Sequence, residues 1–124
     1  MATVQIITDG PRNLVIKVDG TGAEVNTKIV DVTTLNPPCT SVRLNSIVHS
    51  LAPAAAMTLL WDATTPVVAW NMFGSGGIVA PFMYTQGIPN DAGAGVTGNV
   101  LLNGGTASTN YSIYIEFIKN GIEA

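Results

Sequence analysis

Apolar positions along this chain recur mostly at every second residue, the spacing of strands with one buried face. "VQIIT" opens the pattern and stops at Asp9-Gly10-Pro11, a strong turn signal. "NLVIKV" follows, with Leu14, Ile16 and Val18 on one face, and Asp19-Gly20 predicts the next turn. "EVNTKIVDVTTL" is rich in β-branched residues and ends at Pro37-Pro38. In "TSVRLNSIVHS", Val42, Leu44 and Val48 lie opposite Arg43, Asn45 and His49, while Ile47 breaks the alternation.

"AAAMTLLWD" could begin as a helical turn, but Thr58 to Asp62 reads as strand. "PVVAWNMF" is next, then the cluster Gly74-Ser75-Gly76-Gly77. Residues 78–98 are the least regular, and long loops of this kind are usually functional. "NVLL" and "NYSIYIEFIKNG" close the chain. In the last, Tyr111, Ile113, Ile115 and Phe117 share one face, and Ser112, Tyr114, Glu116 and Ile118 share the other. No segment sustains a helical period. About eight short strands separated by Gly, Pro and Asn predict an all-β fold, a single antiparallel β-sandwich over residues 1–124 of jelly-roll type.

Residues 59–70, "LLWDATTPVVAW", read as a hairpin with one indole on each arm and a "DATTP" turn between. Leu59 and Trp61 face one way; Val68 and Trp70 share a face on the other arm. Each Trp can bury about 150–250 Å², worth roughly 4–6 kcal/mol at about 25 cal/mol per Å². Trp61 and Trp70 are therefore expected, with Tyr111, Ile113, Ile115 and Phe117, to anchor the core or an interface. Stacking on a sugar is the other use of an exposed indole.

Composition sharpens this picture. The 124 residues are 47% hydrophobic and only 10% charged, against about 25% charged in ordinary soluble domains. A chain so short of charge is expected to have part of its surface covered by neighbours. The net charge of −3 and the scattered Arg12, Lys17, Lys28, Arg43 and Lys119 argue against direct nucleic-acid binding. No apolar run reaches the roughly 20 residues of a membrane span, and no export signal opens the chain. Asn110-Tyr111-Ser112 matches a glycosylation sequon and is read as chance.

Candidate chemistry is sparse. "GAGVTG" (93–98) has the letters of a dinucleotide fingerprint, but a following helix is needed to hold pyrophosphate. "NVLLNGG" reads as strand instead, so these glycines are expected to serve positive φ or close backbone approach. The single cysteine, Cys39, sits in a loop and the single histidine, His49, ends a strand, so contact between them is not expected. Asp9, Asp19, Asp31, Asp62 and Asp91 look like turn formers. No metal-ligand spacing occurs. The expectation is a non-enzymatic chain without catalytic residues, cofactor or metal.

Four segments taken together, "DGPRNLVIKVDG", "LLWDATTPVVAW", "NDAGAGVTGNVLL" and "YSIYIEFIKNG", resemble a group of small virion structural proteins of tailed bacteriophages. The resemblance leaves out residues 21–56 and 74–89, and it carries over no diagnostic binding residue. It implies a β-rich particle component, most similar to a capsid decoration (head cement) protein. Such a protein is typically a homotrimer on the outer capsid surface, bridging subunits of the major capsid protein. The implied location is the virion, after assembly in a host cytoplasm. One end of the sandwich and the amino-terminal segment are expected to face the capsid. Phe82, Met83, Tyr84 and Ile88, in the irregular region, are the candidate subunit or capsid contacts. A neck or head–tail completion protein, a carbohydrate- or receptor-binding module, and a main jelly-roll coat subunit are the alternatives.

Overall fold

The computed structural model describes residues 2–51, 56–73, 75–78, 88–104 and 110–121. Its strands are β1 (Ala2–Asp9), β2 (Asn13–Thr21), β3 (Glu24–Val30), β4 (Ser41–Leu51), β5 (Ala56–Trp61), β6 (Val67–Phe73), β7 (Ser75–Ile78), β8 (Val100–Gly104) and β9 (Asn110–Asn120). The longest alternating run in the sequence, β9, becomes the centre of one sheet. It pairs antiparallel with β2 on one side and with β4 on the other. That sheet has the order β1-β2-β9-β4-β7, and the second has the order β3-β8-β5-β6. Setting β1 aside, the two four-strand orders are those of a jelly roll, in which all successive strands but β5 and β6 lie in different sheets. The fold is an antiparallel β-sandwich, as the period-two pattern predicts.

The inner faces supply the core. Leu14, Ile16 and Val18 of β2, and Ile113, Ile115 and Phe117 of β9, are at most 1% exposed. Met57, Leu59 and Trp61 of β5, with Val100 and Leu102 of β8, are buried as completely on the facing sheet. Two sheets interdigitating in this way are about 10 Å apart.

Five local expectations are corrected. Asp19 and Gly20 are not a turn: they stay in β2, paired with Ser112 and Tyr111, and the reversal falls at Gly22 with φ 97°. The Ser112 hydroxyl donates to the Asp19 carboxylate at 2.8 Å, holding that end of the ladder together. The β-branched run after Glu24 is not one strand either. β3 stops at Val30, and Asp31 caps a 3-10 turn over Val32–Thr34 by accepting from the Thr33 amide. Short polar side chains at such positions compete with the ladder for backbone donors.

In β4 the register slips between Leu44 and Ser46, a bulge at Asn45. One extra residue reverses every later side chain, so His49 points inward and is buried while Val48 points out. A second bulge, at Ala69, pairs Trp70 with Leu59 but Val68 with Leu60. Val68 and Trp70 therefore lie on opposite faces. Finally, Ser75, Gly76 and Gly77 of the glycine cluster, assigned no strand from the pattern, belong to β7, which pairs with β4 from Ile47 to Ser50.

β1 has no counterpart in the other sheet. Its register places Val4 opposite Val18 and Ile6 opposite Ile16, so both point to the core side. They nonetheless remain 37% and 53% exposed, because a five-stranded layer overhangs a four-stranded one. The strand is held by its far end. Lys119, with a fully buried side chain, donates from Nζ to Asp9 and to the Pro37 carbonyl at 2.9 Å. Asp9 also accepts from the Asn36 amide at 2.8 Å.

Candidate interaction surfaces

The tryptophan hairpin forms as expected, and its turn is docked rather than free. The Thr97 hydroxyl donates to the Asp62 carboxylate at 2.8 Å, and the Asp62 amide donates to the Asn99 carbonyl at 3.0 Å. Asn99 is itself buried, and its side-chain oxygen accepts from the Val32 amide at 3.0 Å. One side chain thus joins β8 to the 3-10 turn while its backbone holds the hairpin. The glycines of "GAGVTG" serve this packing. Gly95 and Gly98 have φ of 77° and 86°, and a Cβ on Gly98 would collide with the Thr40 carbonyl. No helix follows; β8 does. The pyrophosphate geometry of a dinucleotide site is therefore not built here.

Of the predicted anchors, Trp61, Tyr111, Ile113, Ile115 and Phe117 are buried core residues. Trp70 is half-buried and packs on that core from the edge strand β6. Among the predicted contacts, Phe82, Met83 and Tyr84 lie outside the described residues. Ile88 is half-buried. Its amide and carbonyl exchange hydrogen bonds with Leu44 at 2.9 and 3.0 Å, and its side chain packs on the core. Ile78 of β7 and Ile88 thus both pair with β4, at Ile47 and Leu44. The sequon asparagine, Asn110, is the first residue of β9, and its Oδ1 accepts from the Thr21 hydroxyl at 2.7 Å.

Cys39 lies before the start of β4 and His49 near its end, about 30 Å apart along an extended chain. Burial raises the Cys39 thiol above its ordinary pKa and so disfavours the thiolate that would react. Asp19 is held below the usual carboxylate range by the Ser112 hydroxyl and then by Lys17. Burial, and then the Glu24 carboxylate, push Tyr111 up to about 12. Among the described residues no three His, Cys, Asp or Glu side chains are placed to hold a metal ion.

The surface hollows are shallow. One of about 540 Å³ is lined by Thr3, Asp19, Thr21, Asn110 and Ser112 among others, and one of about 360 Å³ by Thr40, Ser41, Asn90 and Thr97 among others. Polar and apolar atoms share their walls, and the first holds one carboxylate, that of Asp19, which accepts from the Ser112 hydroxyl.

Besides Val25 of β3 (82% exposed) and Val96 of the glycine loop (49%), the described surface carries exposed aliphatic area in three places. The first is β1, where Ile7 (48%) joins Val4 and Ile6. The second is a cross-strand pair on the outer face of the five-stranded sheet, Val48 (42%) opposite Tyr114 (37%). The third is the edge strand β6, where Val68 is 51% exposed beside a hollow of about 270 Å³ lined by Val68, Ala69, Trp70 and Asn71. The readings from sequence placed contacts in the irregular loop and in the amino-terminal segment, without singling out Ile6 or Ile7, and did not name Val68. The available signal was the absence of charge from residues 2 to 8 and 67 to 73. No protein-family model, curated protein or solved structure matches this chain.

Proposed function

We propose that this chain is a non-enzymatic virion structural protein, a decoration or cement protein that binds the outer surface of a capsid as an oligomer and stabilises the shell. The observation that supports this most is the β1 ledge: three aliphatic side chains left about half exposed on a strand firmly anchored to a jelly roll. A rigid apolar ledge without charge is energetically expensive in water and suited to burial against protein. A shell strained by packaged genome gains stability from added interface, and a specific interface buries about 1,600 Å² in total. Copies joined to one another bind a repeating surface with avidity, without tight single sites.

The test is thermal denaturation of purified capsids with and without the protein. Raised shell melting in its presence is expected; unchanged melting removes the cement role. The carbohydrate-binding alternative would rest on Trp70, since Trp61 is fully buried.

A further inference from the structure

The first and last strands of the sandwich meet at an amine and a carboxyl group. Lys119, near the end of β9, has a fully buried side chain, and Asp9, the last residue of β1, is 17% exposed. Nζ lies 2.5 Å from Oδ1 of Asp9, although 110 residues separate the two in sequence. As an ion pair this couple contributes little net stability, because desolvation offsets most of the attraction. A lysine and a carboxyl held together away from water have a second chemistry open to them, condensation to an amide.

The surroundings supply what that condensation needs. The Asn36 amide donates to Oδ2 of Asp9 at 2.8 Å, so charge developing on that oxygen during attack meets a fixed donor. The Pro37 carbonyl accepts from Nζ at 2.9 Å and orients the nitrogen. Main-chain bonds hold both reactants in place. The Lys119 amide donates to the Arg12 carbonyl at 2.7 Å, and the Gly10 amide, directly after Asp9, donates to the Asn13 carbonyl at 2.9 Å. Intramolecular partners oriented this well react as if at about 10⁵ M or more.

We propose that Lys119 and Asp9 form an intramolecular isopeptide bond, which joins β9 to β1 covalently. A proton first passes from the ammonium to the carboxylate along their hydrogen bond, leaving an amine and a carboxylic acid. Burial eases this exchange, because neutral groups lose less hydration than ions. The nitrogen lone pair then attacks Cγ and the C–N bond forms, while Oδ2 takes the developing charge. A proton leaves the nitrogen for Oδ1, the Cγ–Oδ1 bond breaks, and one water departs. Nothing is oxidised or reduced, and no co-reactant is consumed. The bond carries load from the β1 ledge straight into the central strand of its sheet. This chemistry is independent of what the ledge binds.

The test is the intact mass of the purified chain, measured under denaturing conditions after prolonged incubation in the folded state. The wild type is expected to weigh one water less than its sequence requires, and Lys119→Met and Asp9→Ala to keep their full mass. Trypsin is expected to release residues 1–12 joined to residues 44–124, because Arg12, Lys17, Lys28 and Arg43 stay cleavable and an acylated Lys119 does not. Full mass in the wild type would show an ion pair only and overturn the proposal. A missing water that persists in either variant would overturn it as well; in Lys119→Met it would mark ring closure at Asp9-Gly10 instead.

Discussion

The ammonium of Lys119 lies 2.5 Å from the carboxylate of Asp9, so the last strand of the sandwich ties down the end of the first. The lysine side chain is fully buried and the aspartate side chain is 17% exposed. Removing one partner of such a pair strands the other charge away from water, at about 3–5 kcal/mol. Lys119→Ala is therefore expected to lower unfolding stability by about that amount, and Lys119→Met by less, since its chain refills the volume. Urea denaturation of the two variants checks this. Equal stability of Lys119→Ala and wild type would show that β1 is held by its ladder alone.

The glycine loop gives a paired expectation. Gly98 adopts positive φ and faces the Thr40 backbone, whereas a Cβ on Gly93 meets nothing within 4 Å. Gly98→Ala is expected to cost about 2 kcal/mol or more, from backbone strain together with a clash that only main-chain movement relieves. Gly93→Ala is expected to stay within about 0.5 kcal/mol of wild type. Thermal melting of both variants separates a packing role from any role the "GAGVTG" letters suggest.

The two tryptophans should differ in solution. Trp61 is fully buried and its Nε1 meets no acceptor among the described residues, while Trp70 is half-buried on an edge strand. Trp70→Phe is expected to leave blue-shifted emission that resists acrylamide. Trp61→Phe is expected to leave redder, more quenchable emission from Trp70. If the remaining indole of Trp70→Phe were readily quenched, the hairpin would not anchor the core.

Tyr111 adds a pH dependence at the alkaline end. Its folded pKa is raised from 10.0 to about 12 by burial and by Glu24. The folded state holds this proton more tightly than the unfolded one. The stability it contributes is thus complete below about pH 10 and is lost as pH rises toward about 12. Tyr111→Phe is expected to show a shallower loss of stability over that window than wild type. Parallel curves in denaturant titrations at several alkaline pH values would contradict this.

Much of the fold was legible because period two persists over long runs. β2, β9 and the tryptophan hairpin follow from it directly. Where the structure departs from the pattern, the cause is a single residue. The bulge at Asn45 left one trace, the extra apolar Ile47, which reads as a break in alternation until the register with β9 is known. The bulge at Ala69 left none, because Val67, Val68, Ala69 and Trp70 are all apolar. Lys119 continues the buried phase of Tyr111, Ile113, Ile115 and Phe117, so its inward direction was readable, but its partner lies 110 residues away. The β1 ledge depends on one sheet having a strand more than the other. That is a property of topology, invisible in any local stretch.

The central claim, that this molecule is built to be covered by its neighbours on a viral shell, is tested most directly by imaging purified particles and counting this chain. Density for the sandwich repeated over the outer capsid surface, in hundreds of copies, is the predicted result. A handful of copies confined to a ring at the neck, or particles that lack the chain altogether, would contradict it.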